Sequence, residues 1–203
     1  MASTGHVLLW VVDADTVASE TLARHAAWLG ASERERCARF ARAERRRQFI
    51  VGRALLRRAL GSLLNIKPAA IGLEERPGLA PALLPEADVG FSISHSGRWV
   101  ACAAGSGVSL GLDIERIDPA RDVMALAEHA FSAQEVAILR DIEPASRQAA
   151  FYRMWCAHEA RIKLGRPSVV EYPVTLPGVA GMLACTQPLE TIPVPRHLRL
   201  DAL

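Results

Sequence analysis

No two of the four cysteines, Cys37, Cys102, Cys156 and Cys185, stand close together in the chain. None of the paired spacings that announce a zinc site is therefore present. The first residues carry no basic stretch ahead of the apolar run VLLWVV, and Asp13 and Asp15 interrupt that run, which argues against a secretory leader. No apolar stretch reaches the roughly 18 residues that a membrane span needs. Charge of one sign is also missing: 24 Lys and Arg stand against 22 Asp and Glu, which is no case for a general nucleic-acid binder. Together these absences predict a cytoplasmic protein with reduced thiols, with neither membrane nor nucleic acid among its partners.

What is present suits a globular fold. The 203 residues are 50% hydrophobic and 23% charged, enough for one domain or two small ones sharing an interface. Residues 6–12 read as a strand, 16–30 as an amphipathic helix, and Ser32 with Glu35 as a capping box opening the next. Residues 45–60 continue helical, and 77–88 read as a Pro-rich loop. Short strands are expected at 89–93, 99–104 and 108–115, then helices at 122–130, from the Ser132–Glu135 capping box, and at 147–164. Strand and loop follow Pro167, as VVEYPVTL and GMLACTQ. Both halves thus contain Ser-x-x-Glu opening a helix and then a long helix with charged groups four apart. We expect an α+β fold of two similar α/β-layered halves, 1–105 and 106–203, related by a pseudo-two-fold axis. The ligand site is expected at their interface, and an internally doubled chain is expected to be a monomer.

Two segments carry the most chemistry. In Val108–Glu115, a strand would send Val108, Leu110, Leu112 and Ile114 one way and Asp113 and Glu115 the other. Two carboxylates on one face repel unless something positive lies between them. That partner is either a hard divalent cation or an arginine such as Arg116; a solvated face is the third option. In WCAHEARIK, Glu159 and Lys163 are four apart, in the favourable order for a helical ion pair. Phe151, Trp155 and Ile162 supply an apolar face nearby. A third segment, FSISHSGRW, ends a strand in a turn rich in donors, where His95 can address a phosphate. Arginines crowd residues 34–58, either as a solvated helix face or as an anion-binding surface.

FSISHSGRW, GLDIE, FSAQE and WCAHEARIK, in this order and at these separations, resemble the 4'-phosphopantetheinyl transferase superfamily. The match is to its larger, two-half type acting on peptide and polyketide synthase carrier proteins, and it covers roughly residues 30 to 165. The resemblance implies transfer of the 4'-phosphopantetheine group of coenzyme A to a serine of an apo acyl or peptidyl carrier protein, with release of 3',5'-ADP. By that pattern Asp113, Glu115 and Glu159 hold Mg²⁺, for which Mn²⁺ can substitute; a carboxylate then takes the serine proton directly or through water, and Glu159 is our choice for it. Lys163 contacts a phosphate and assists the leaving group. His95, with Ser94 beside it, binds coenzyme A phosphate, and Arg36 and Arg76 serve its 3'-phosphate and neighbouring groups. Arg53 and Arg57, in GRALLR, support the site.

The chain departs from the pattern in three places. Glu75 precedes Arg76 where the family has glycine, His158 stands where it has lysine, and Gly165-Arg166-Pro167 replaces Gly-x-Gly. Two alternatives stay in view, the first using the same carboxylates and the second favoured by His158 and the Gly165 segment. One is another Mg²⁺-dependent phosphate or nucleotide enzyme acting without a carrier protein. The other is a non-catalytic coenzyme A-binding protein on the same scaffold.

Overall fold

A computed structural model describes residues 6–76, 78–168 and 170–202. Pro77 and Val169, at the edges of two predicted segments, lie outside the described residues. In chain order the elements are β1 (Val7–Asp13), α1 (Ser19–Ala26), α2 (Ala31–Ala38), α3 (Ala43–Leu64), β2 (Gly72–Glu74), β3 (Ala82–Leu84), β4 (Val89–Ser96) and β5 (Trp99–Ser106). The second half adds β6 (Leu110–Arg116), α4 (Val123–Ala130), α5 (Ala133–Asp141), α6 (Pro144–Leu164), β7 (Val170–Leu176) and β8 (Val179–Cys185), and β9 (Arg196–His197) follows.

The two halves repeat one plan: a strand, a set of helices ending in a long one, then a hairpin. In the first, β1 precedes α3 and the β4–β5 hairpin, with sheet order β4-β5-β1-β9. In the second, β6 precedes α6 and the β7–β8 hairpin, with order β6-β8-β7. The pairings β1–β5 and β6–β8 are both antiparallel. This is the expected doubled α+β fold. The 77–88 segment is more ordered than its prolines suggest, since β3 pairs with β2.

Alternation along the strands explains the layering. On β5, Val100, Cys102 and Ala104 join a core with Val51, Leu55 and Leu56 of α3. Ala101 and Ala103, facing the other way, pack with Leu110, Leu112, Ile114 and Leu183 of the second sheet. The result is helix, sheet, sheet, helix, with an apolar core between the sheets. A smaller cluster seats α4 and α5 on α6 through Val123, Leu139 and Phe151.

The first-half helix start differs from its expectation. Helix α2 begins two residues earlier, with Gly30 as its cap, and Glu33 rather than Glu35 accepts the Gly30 amide at 2.8 Å. Ser32 Oγ instead accepts the Glu75 amide at 3.2 Å. The reason lies in the core. Glu33 is fully buried, taking Arg57 through both oxygens at 2.9 and 2.5 Å and Arg53 Nε at 3.2 Å. These arginines are neither a solvated face nor a free anion surface; they are spent on an internal carboxylate. The Ser132–Glu135 box forms as expected: Ser132 Oγ accepts the Glu135 amide at 3.3 Å, and Glu135 accepts the Ser132 amide at 2.9 Å.

Candidate active site between the halves

Gly111 brings the helix of the second half onto its first strand. A Cβ there would sit 1.9 Å from the Ala160 carbonyl oxygen and 2.6 Å from the Leu164 amide nitrogen. Only a bare backbone lets α6 lie this close to β6. On the same face of β6, one and two alternations further on, stand Asp113 and Glu115, with Lys163 above them.

Asp113 is buried, 4% exposed. Its Oδ1 accepts from Lys163 Nζ at 2.7 Å and from Ser94 Oγ at 2.9 Å. Its Oδ2 is buried with no hydrogen-bond partner. Glu115 is half-buried and its Oε2 accepts from Ser96 Oγ at 2.6 Å. Burial pushes the Glu115 carboxyl up, opposed by the Ser96 hydrogen bond, and the neighbouring Asp113 charge raises it further. Cys156 approaches the Asp113 carboxylate; burial first, then that carboxylate and the Glu115 charge, push its thiol up, so it stays neutral. Lys163 is one of only two lysines in the chain.

The expected Glu159–Lys163 pair does not form. Lys163 turns to Asp113, because a buried carboxylate needs a countercharge more than a solvent-facing one does. Glu159 is half-buried, without a hydrogen bond among the described residues. Arg116 does not neutralise the strand carboxylates either: its backbone amide donates to Ser96 Oγ, and its side chain lies against Gly97. Ile162 is 70% exposed and stands apart from Phe151, which is 2% exposed in an aromatic group with Trp155 and Phe131.

Among the described residues no three His, Cys, Asp or Glu side chains form a ready metal cage. Magnesium needs less, because it keeps several waters and takes one or two carboxylates plus substrate phosphates. The unpartnered Asp113 Oδ2 beside the Glu115 carboxyl is a hard-oxygen set of that kind, and it fits a divalent cation.

A cleft of about 570 Å³ runs across the face between α3 and the end of α6; Lys163 lines it, while Asp113, Glu115 and Glu159 are not wall residues. Arg36, Arg45, Arg53, Arg76, His95 and Lys163 line it, with Phe40, Phe49 and Ile93 as apolar wall. Arg36, Arg76, His95 and Lys163 are thus brought to one space. Ser94 is not a wall residue: its hydroxyl donates to Asp113 and accepts from Lys163 at 3.0 Å and from the Ile114 amide at 3.2 Å. That uses its one proton and both lone pairs. Arg36 pairs with Glu75 at 2.5 Å, and Glu75 also holds Arg53 Nε at 2.9 Å. Glu75 is therefore an ion-pair hub, linking the wall of the cleft to the Glu33 network. Arg76 Nε donates to the Ala80 carbonyl at 3.1 Å. His158 turns away, placing Nε2 2.7 Å from Glu135 Oε1 and edging onto Phe131. Gly165 ends α6 in the left-handed conformation, at φ +70°.

Arg45 is the wall residue that sequence reasoning missed. Its Nη1 lies 2.9 Å from His95 Nδ1 and 2.6 Å from Gln48 Oε1. The signal was in helical phase: Arg45, Phe49, Gly52 and Arg53 are spaced by four, three and one, one side of α3.

His95 is held neutral. Burial, then the Arg45 and Lys163 cations, lower its pKa from 6.5 to about 4. Between these values the unfolded chain binds more protons than the fold, so stability falls as pH drops from about 6.5 to about 4. The full effect is roughly 3 kcal/mol. His95→Gln is expected to flatten that part of the pH–stability curve, measured by urea unfolding at fixed ionic strength. An unchanged curve would mean that His95 is not the group responsible. At pH 7, His95 offers a phosphate a hydrogen bond and not a charge; Arg45 and Lys163 carry the charge.

Residues 109–176 match the model of the 4'-phosphopantetheinyl transferase superfamily, and residues 16–107 match that of the 4'-phosphopantetheinyl transferase N-terminal region. The chain is 32% identical over 160 residues to the 4'-phosphopantetheinyl transferase HetI of Nostoc sp., covering 77% of this chain and 67% of the relative. It is 33% identical over 144 residues to AcpT of Salmonella typhimurium, covering 70% and 71%. It is 29% identical over 140 residues to Sfp of Bacillus subtilis, covering 69% and 61%. The matches thus span about two thirds of each relative's length. Among the described residues no helix is long and apolar enough to cross a membrane.

Proposed function

From the premise that this chain belongs to the 4'-phosphopantetheinyl transferase superfamily, we propose that its inter-half cleft transfers the 4'-phosphopantetheine arm of coenzyme A to a serine hydroxyl of an apo acyl or peptidyl carrier protein. Similarity to several phosphopantetheinyl transferases supports an activity of this general kind. The observation that carries the finer reading is the orphaned Asp113 Oδ2, on a carboxylate held by Lys163, which itself lines a cationic cleft.

Asp113, Glu115 and Glu159 would hold Mg²⁺ or Mn²⁺. Bound there, the cation supplies charge neutralisation and polarisation of the pyrophosphate. Arg36, Arg45, Arg76 and His95 bind and orient coenzyme A phosphates along the cleft wall. Ser94 acts on coenzyme A indirectly, by fixing Lys163 and Asp113. Glu159 accepts the carrier serine's proton, directly or through one water. The serine oxygen forms a bond to the β-phosphorus as the P–O bond to the leaving phosphate breaks. Lys163 stabilises the charge that develops on departing 3',5'-ADP. On this reading the halves divide at 105/106, and the protein is a cytoplasmic monomer whose partners are coenzyme A and the carrier.

The test is intact-mass analysis of a panel of apo carrier proteins incubated with coenzyme A. A carrier is expected to gain the phosphopantetheine mass with Mg²⁺ or Mn²⁺ and to stay unmodified in EDTA. Turnover of coenzyme A without carrier labelling would favour a different phosphate enzyme. Binding without any turnover would favour a non-catalytic coenzyme A-binding protein.

A further inference from the structure

β4 and β6 are edge strands of different sheets, and no backbone ladder joins them. Serine side chains do the joining. Ser92, Ser94 and Ser96, two apart on one face of β4, accept the amides of Leu112, Ile114 and Arg116 at 2.9, 3.2 and 2.9 Å. Two rungs have a second task. Ser94 donates to Asp113 at 2.9 Å and Ser96 donates to Glu115 at 2.6 Å. Among the described residues the Ser92 rung holds no carboxylate; its contact is the Leu112 amide.

We propose that Ser96 is a positioning residue: its hydroxyl, fixed by the Arg116 amide of the second half, aims the Glu115 carboxylate for a divalent cation. This rests on reading Asp113 and Glu115 as cation ligands. Glu115 is only half-buried and has no lysine or arginine within ion-pair distance among the described residues, so without Ser96 its carboxylate is free to rotate into solvent. The clasp also ties the cation site to the seam between the halves, because the donor sits on one half and the carboxylate on the other. Partners that orient metal ligands typically contribute about 10–100-fold to metal affinity.

The test uses the full chain, titrated with Mn²⁺ and followed by the EPR signal of free Mn²⁺, with urea unfolding alongside. Ser96→Ala is expected to weaken Mn²⁺ binding about tenfold, and Ser96→Thr, which keeps the hydroxyl, to restore it. Ser92→Ala removes a rung without a carboxylate; it should lower the urea midpoint while leaving Mn²⁺ affinity within about twofold. Ser96→Cys, a weak donor of similar shape, replaces the alanine variant should that one not fold. Parent-like Mn²⁺ binding by Ser96→Ala, or an equal loss in Ser92→Ala, overturns the positioning role. Glu115→Gln separates the two levels. If it weakens binding while Ser96→Ala does not, the cation site stands and the proposal falls. If Glu115→Gln also binds as the parent, both fall.

Discussion

Asp113→Asn is expected to lower carrier labelling by on the order of a thousandfold while leaving the fold intact. Asparagine keeps the Oδ1 acceptor for Ser94 and Lys163, so the local hydrogen bonds survive. What changes is the buried Oδ2 position, which lacks a partner. There the substitution puts an NH₂ donor where a cation needs a charged oxygen. Lys163 keeps its own charge, and with 31% of its side chain exposed it is partly hydrated. The weakened ion pair and the buried NH₂, which has no acceptor, should lower stability by about 1–3 kcal/mol, so rates are compared where the variant is still folded. Initial rates by intact mass, with urea unfolding as control, make the measurement. Labelling at the parent rate by a folded Asp113→Asn protein would remove Asp113 from the site.

Glu33→Ala is expected to cost about 3–5 kcal/mol in stability. Glu33 is fully buried and answers two guanidinium groups, of which Arg57 is 1% exposed. Its removal leaves one cation sealed in the core and a second reduced to Glu75 alone. The arginine Nε of Arg57 already lacks a partner, so no spare acceptor stands by. Replacing the whole Glu33–Arg57 pair with apolar residues of matching volume should cost far less than Glu33→Ala, since no unpaired charge remains. A shift in urea midpoint at constant slope is the readout. Because Arg53 and Glu75 extend the network to Arg36 on the cleft wall, coenzyme A affinity should fall with it. A loss under about 1 kcal/mol would show that the network is not the closed unit its burial implies.

Much of the architecture was legible from local pattern. Alternation in Val108–Glu115 separated the core side of the strand from Asp113 and Glu115, and the structure places Leu110, Leu112 and Ile114 in the inter-sheet core accordingly. The Ser132–Glu135 box was read correctly because both of its partners are three residues apart. The matching box at Ser32 was misread because Glu33 answers to Arg57, 24 residues away. No local spacing carries that demand. Lys163 likewise left its helical neighbour Glu159 for Asp113, 50 residues distant, since burial of one carboxylate outweighs a helical ion pair worth a few tenths of a kcal/mol.

The chain by itself therefore determined the order of the main elements, though not the β2–β3 pair, together with the doubled plan and the inventory of chemical groups, since these follow from periodicity, capping and composition at short range. Which of those groups meet was decided only in three dimensions. Gly111 admits α6 onto β6, the serines of β4 close the seam, and Arg45 reaches His95 from another element. Each depends on the desolvation of a particular atom, and burial is a property of the packed fold rather than of any segment of the chain.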